Sequence, residues 1–137
     1  MSLILVYLAS LVAFLGIDAL WLSKVMRPLF ERHVGALLRD EVQFAAAGGF
    51  YALYVAGILH FATLPGLRGD GVGAALLNGA ILGFLAYGTY EATNMSTLKG
   101  WTWGMVATDV AWGMALTALT ACVGYYAGAA LGLGSEG

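Results

Sequence analysis

The sequence predicts an all-α polytopic membrane protein: a four-transmembrane-helix bundle with a short amphipathic interfacial helix between helices one and two. Three observations lead there. Apolar residues make up 61% of the 137 and charged residues only 10%. A soluble domain has roughly 45–50% apolar and about 25% charged residues, and a chain this poor in charge cannot coat a water-facing surface. The apolar residues also gather into four runs, each near the ~20 residues that a helix needs to cross a bilayer. Finally, the connection after the first run carries apolar residues at helical spacing. Composition excludes soluble enzyme folds. Six Lys+Arg against eight Asp+Glu, with no basic tail, exclude direct nucleic-acid binding. The single Cys122 excludes an internal disulfide and a cysteine-based metal cluster. The whole chain, 1–137, is read as one membrane domain.

The first span is expected over about 3–22. Only Met1 and Ser2 precede it, without the positive region of a signal peptide, so it reads as a retained helix. Within the next connection, Pro28 suits a first helical turn. Phe30, Val34, Leu37 and Glu41 share one face, with Met26 four residues before Phe30, which predicts an interfacial helix over about 28–41. A helix packed on the end of the bundle is the alternative. The second span is expected over 44–63, closed by Leu64-Pro65-Gly66 and the turn Gly69-Asp70-Gly71. The third covers 73–93, followed by a loop from Asn94 to Gly100, and the fourth covers 103–126. Whether the fourth breaks at Gly124 or runs on is left open by its glycine-rich continuation.

Lys24, Arg27, Arg32 and Arg39 fall in the first connection and Lys99 in the third; Arg68 alone falls in the second. The positive-inside rule therefore places both termini outside and the two basic loops in the cytoplasm.

Charged residues inside a span are costly and mark function by default. Here they are Asp18, Glu91 and Asp109, with no Lys or Arg in any run to pair with them. Asp18 precedes Trp21 by three, Asp109 precedes Trp112 by three, and Tyr51–Tyr54 and Tyr87–Tyr90 share that spacing. Residues at i and i+3 face the same way. In the predicted topology all four helices place these groups in the cytoplasmic half, leaving an outer half that is nearly all apolar apart from His60 and Asn78. The order Asp–Trp, Tyr–Tyr, Tyr–Tyr, Asp–Trp is a mirror, so helices one and four can oppose similar faces. Two carboxylates close together in low dielectric cannot both ionise cheaply, which suits proton transfer or cation binding, and aromatic faces can hold an organic cation. The expected ligand-binding set is Asp18, Trp21, Tyr51, Tyr54, Tyr87, Tyr90, Glu91, Asn94, Asp109 and Trp112. The plain alternative is that buried acids and ring donors tie helices together, and that Trp and Tyr are interface-belt residues. Asp109, the deepest, leans toward a site; Glu91, beside the loop, suits a solvated role equally.

No catalytic or metal site and no cofactor is expected. His60 stands alone, Ser10, Ser23 and Ser96 have no base placed near them in sequence, and no phosphate-cradling motif occurs. Asn94-Met95-Ser96 matches a glycosylation pattern on the wrong side of the membrane. Gly79 and Gly83, and Gly124, Gly128 and Gly132, are spaced for close helix packing. They make a homodimer through glycine-rich faces, or association with other membrane subunits, the expected partnership beyond the lipid bilayer.

The stretch Gly83-Phe84-Leu85-Ala86-Tyr87-Gly88-Thr89-Tyr90-Glu91-Ala92-Thr93-Asn94, then Thr97-Leu98-Lys99-Gly100-Trp101, carries a resemblance. So do Asp109-Val110-Ala111-Trp112-Gly113 and Asp18-Ala19-Leu20-Trp21-Leu22. Together they resemble the DUF2177 family of small bacterial integral membrane proteins, over nearly the whole chain. Members usually have Asp where this chain has Glu91 and often Leu where it has Ala92, so an acid is kept on a longer side chain. The resemblance implies a four-helix membrane fold in the bacterial inner (plasma) membrane, and carries no activity with it.

Three functions compete on this reading. The first is binding or transport of a small molecule, a cation or proton, or a lipid through the one-sided acidic and aromatic cluster, which predicts a cytoplasm-facing cavity. The second is a non-catalytic accessory subunit of a larger membrane complex, which predicts no cavity. The third, a membrane enzyme acting on lipid with Asp18 and Asp109 as acid and base, has no supporting motif.

Overall fold

The computed structural model describes residues 2–21, 23, 24, 28 and 44–133, without the side chains of 44–47. The expected interfacial helix over 28–41 lies, apart from Pro28, outside the described residues. Among those described there is helix and no strand. The elements are α1 (Ser2–Trp21), α2 (Phe44–Ile58), α3 (Gly71–Thr97) and α4 (Trp103–Ala130), with wide π-type turns at Leu59–Thr63 and Gly66–Asp70 joining α2 to α3.

Three helical stretches are long and apolar enough to cross a membrane: Ser2–Trp21, Gly48–Thr97 and Trp103–Ala130. The middle stretch is two helical arms joined at the turn expected at Gly69-Asp70-Gly71, where the backbone is not helical. Gly69 and Gly71 have φ of 126° and 87°, values that glycine adopts without a Cβ penalty. Tyr54 and Tyr87, which a straight helix would hold roughly 50 Å apart, have ring centroids 6.3 Å apart. The chain therefore folds back at Gly69–Gly71, and α3 lies against the turns that follow α2 and against α4. Gly66 permits the closure, since a Cβ there would fall 2.8 Å from the Gly71 carbonyl oxygen.

One boundary differs from the sequence reading, and the course of the last helix, left open there, is settled. α3 continues to Thr97, so Asn94–Thr97 is helix instead of loop. The Ser96 and Thr97 hydroxyls bond back to the Ala92 and Thr93 carbonyls, which keeps these polar residues compatible with helix. α4 runs unbroken past Gly124 to Ala130. It starts where the Thr102 hydroxyl accepts from the Met105 amide at 3.2 Å, an N-cap. It stops in a Schellman turn: the Leu133 amide bonds the Gly128 carbonyl, the Gly132 amide bonds the Ala129 carbonyl, and Gly132 has φ of 85°.

The packing is inverted relative to a water-soluble bundle. Ser10, Thr63, Glu91 and Thr117 are fully buried, while Val12 and Leu53 are 71% and 72% exposed. Exposed Leu, Ile, Val and Phe encircle the helices. In water such a surface would drive association; in hydrocarbon it is the solvated face, and the polar groups turn inward. Val6, Phe14, Val55, Ile58, Ala75 and Leu116 make the core. Glycines bring the helices close. A Cβ on Gly79 would meet the α4 backbone at Ala118, and one on Gly124 would meet the Ser10 and Thr63 hydroxyl oxygens at 2.8 and 2.9 Å. Gly79, Gly83, Gly124 and Gly128 thus pack within the protomer.

Candidate functional site: an acidic and aromatic cavity at one end of the bundle

The end of the bundle that carries Trp21, the start of α2, the last turns of α3 and the first turns of α4 holds a cavity of about 560 Å³. Its volume falls within the roughly 300–1,000 Å³ of small-molecule sites. Asp18 and Trp21 come to it from α1, Phe50, Tyr51 and Tyr54 from α2, Ala86, Tyr87, Thr89 and Tyr90 from α3, and Asp109 from α4. Among the described residues, no Lys, Arg or His lines it. Phe50 and Tyr90 at its mouth are exposed, whereas both acids are buried.

Spacing explains the convergence. Each i, i+3 pair presents two side chains on one helix face, and α1 to α4 all turn that face inward. Phe14 fills the floor, edge-on to Tyr51 and Tyr54 with centroids 5.3 and 5.6 Å away. Gly113 lets the Tyr87 ring lie against α4, since a Cβ there would overlap that ring. The Tyr54 and Thr117 hydroxyls are 2.8 Å apart.

The α1 and α4 Asp–Trp pairs meet. Trp21 stacks flat on Trp112, with centroids 4.2 Å apart and planes 4° apart. Trp112 Nε1 donates to Asp18 Oδ1 at 3.3 Å, and the Tyr51 hydroxyl donates to the same carboxylate. Asp18 is therefore held by α2 and α4 together. Trp21 Nε1 is buried and has no acceptor among the described residues.

Asp109 faces two ways. It lines the cavity, and its carboxylate is within hydrogen-bond reach of Glu91. Glu91 is fully buried behind the lining, which removes the solvated role left open for it. Trp101 folds back so that its Nε1 donates to Glu91 Oε1 at 2.8 Å, while Oε2 receives no donor among the described residues.

Of the ten residues singled out from sequence, seven therefore line one cavity: Asp18, Trp21, Tyr51, Tyr54, Tyr87, Tyr90 and Asp109. Trp112 and Glu91 stand behind it as partners of its two acids. Asn94 does not line it: its side chain bonds Tyr90 and its carbonyl accepts from the Leu98 amide. Sequence reasoning missed Phe50, Thr89, Phe14, Thr117 and the part played by Trp101. A Trp ten residues after Glu91, just past a glycine, was the available signal for the last. His60 sits far from the cavity with its ring against Phe61, and no group of three His, Cys, Asp or Glu that could hold a metal ion occurs among the described residues.

No curated protein and no solved structure matches the chain. The family described as "Predicted membrane protein (DUF2177)" matches residues 3–126, nearly the full length. The polar interior, the lipid-facing apolar exterior and that match agree, and the chain belongs to the DUF2177 family of membrane proteins.

Proposed function

We propose that this protein binds a small organic cation in the acidic and aromatic cavity, which opens to the cytoplasm from a four-span bundle in the inner membrane. One observation carries the reading: two carboxylates and six aromatic side chains line a single cavity to which no basic side chain among the described residues contributes. A carboxylate that is dehydrated and lacks a basic partner is costly in a membrane interior. A ligand cation supplies the missing charge, and the faces of Trp21, Tyr51, Tyr54 and Tyr87 supply ring quadrupoles for its apolar groups. A neutral lipid tail would meet the same rings but would leave both acids uncompensated.

Two further points support the topology. The arms of the hairpin that closes at Gly69–Gly71 are each long enough to cross a bilayer of about 30 Å. The excess of Lys and Arg between helices one and two and at Lys99 favours a cytoplasmic location for the cavity end.

The test is binding of tetraphenylphosphonium, a permanent cation with apolar arms, to the purified protein in detergent. The wild type is expected to bind it and to ignore the neutral triphenylphosphine oxide. Asp109→Asn keeps the shape and is expected to weaken binding by at least about tenfold, or 1.4 kcal/mol, with the thermal midpoint little changed. Asp109→Leu is expected to lower the midpoint as well, by removing a buried hydrogen-bonding group. Equal affinity for the two probes, or full affinity in Asp109→Asn, overturns the reading.

A further inference from the structure

Asp109 is shared between the cavity and a second carboxylate that the cavity does not reach. Glu91 is wholly buried, takes one donor from Trp101, and leaves Oε2 with no donor among the described residues. Two carboxylates within hydrogen-bond reach have acceptors only, so neither can donate unless one carries a proton. Among the described residues their surroundings provide no compensating cation. Among the described residues, the titratable groups facing the pair are Asp18 from α1, Tyr51 from α2, and Tyr87 and Tyr90 from α3. All are acidic or neutral.

We infer that Glu91 and Asp109 hold one proton between them and release it when a cation enters the cavity, so that the site exchanges a proton for an organic cation. This rests on the cation-binding reading and adds the coupling. The balance is simple. With one shared proton the pair carries one negative charge. A cation beside Asp109 favours the carboxylate form, the shared proton leaves to water, and the pair plus cation again carries one negative charge. No net charge is added to a low-dielectric interior, where an unbalanced one is costly. Glu91 is the positioning residue: it touches no ligand, and it holds the proton against Asp109 while the Trp101 indole fixes its other end.

The experiment uses tetraphenylphosphonium because it carries no proton of its own. Added to lightly buffered protein in detergent, it is expected to release about one proton per cation bound. Its affinity is expected to weaken about tenfold per pH unit of acidification, the slope that one linked proton requires. Glu91→Gln can donate an amide hydrogen to Asp109 without a proton. It is expected to release nothing and show no pH slope, so that it binds more tightly than the wild type at acidic pH; Glu91→Asp is expected to restore the release. In the unmodified protein, the infrared band of a protonated carboxyl is expected to disappear on adding the probe, which decides the matter if Glu91→Gln does not fold. Binding without proton release, or with that band unchanged, overturns the exchange and leaves the cavity reading standing. Release that persists in Glu91→Gln overturns the assignment to this pair. No binding at all overturns both.

Discussion

The two halves of the bundle use the same helices to opposite ends. Toward the Gly69–Gly71 turn, α4 presents Thr117, Thr120, Ala121, Gly124 and Gly128, all buried. The facing side chains are correspondingly small or closely fitted: Ser10 on α1, Thr63 after α2, Leu67 over Gly128 and Gly79 on α3. The Thr63 hydroxyl donates to the Ala121 carbonyl at 3.1 Å. In the other half, α4 presents Asp109, Trp112 and Gly113, and its neighbours present Tyr, Trp and Asp. Small residues let backbones approach, as α3 and α4 still do at Gly83 and Gly113; beyond that contact rings and carboxylates fill the space between helices, and what they leave becomes the cavity. The comparison teaches that this cavity needs no special backbone. It arises because large rigid side chains meet at one end of helices that small ones pull together at the other. The contrasting hollow between α1 and α2, lined by Leu3, Ile4, Tyr7, Leu59 and His60, contains no carboxylate.

The sharpest way to break the comparison is to enlarge a side chain in the close half. Gly124→Val places carbon where the Ser10 and Thr63 oxygens already stand. Overpacking of this kind costs about 1–3 kcal/mol, expected as an earlier unfolding midpoint in a denaturant titration. Cation affinity of the folded fraction is expected to be unchanged. Gly88→Ala is the control, because nothing lies within 4 Å of a Cβ there; it is expected to be neutral or slightly stabilising, as alanine is the better helix former. Equal behaviour of the two variants would show that the halves do not differ in packing.

In the open half, stability is expected to rest on ties between acids and rings. Trp112→Phe keeps a ring against Trp21 and removes the donor to Asp18. Interhelical hydrogen bonds in membranes are worth about 0.6 kcal/mol on average and about 1.7 at most, so a loss in that range is expected in the same titration. A double-mutant cycle with Asp18→Ala, which removes the acceptor, isolates the bond from the ring contact. A coupling energy of zero would mean that the stacked rings alone hold α1 to α4.

How much of this was legible in sequence follows the same division. Apolar runs give helices because the backbone must satisfy itself in hydrocarbon, and the turn at Gly69-Asp70-Gly71 announces itself in residue type. The i, i+3 pairs direct Asp18, Tyr51, Tyr54, Tyr87, Tyr90 and Asp109 to a common side, since helical periodicity is local. The burial of Glu91 is not local: it depends on Trp101 returning over it from beyond the end of α3. The half toward the Gly69–Gly71 turn is less apolar than it reads, because Ser10, Thr63, Thr117 and Thr120 are individually weak signals that acquire meaning only when the helices bring them to one line of contact. The π-type turns after Ile58 leave no residue pattern to find.

The smallest expected effect tests where the two halves join. The Tyr54 ring lines the cavity, yet its hydroxyl meets Thr117, the first hydroxyl of the close half, at 2.8 Å. Tyr54→Phe keeps the ring and leaves the fully buried Thr117 without that partner. The expected loss is about 0.6 kcal/mol, with cation affinity within about twofold. Adding Thr117→Val is expected to recover part of the loss, because removing both partners of a buried bond leaves nothing unsatisfied. Tenfold weaker binding in Tyr54→Phe at unchanged stability would instead make the hydroxyl a ligand contact. The boundary of the cavity would then have to be drawn one helical turn deeper, at Thr117 itself.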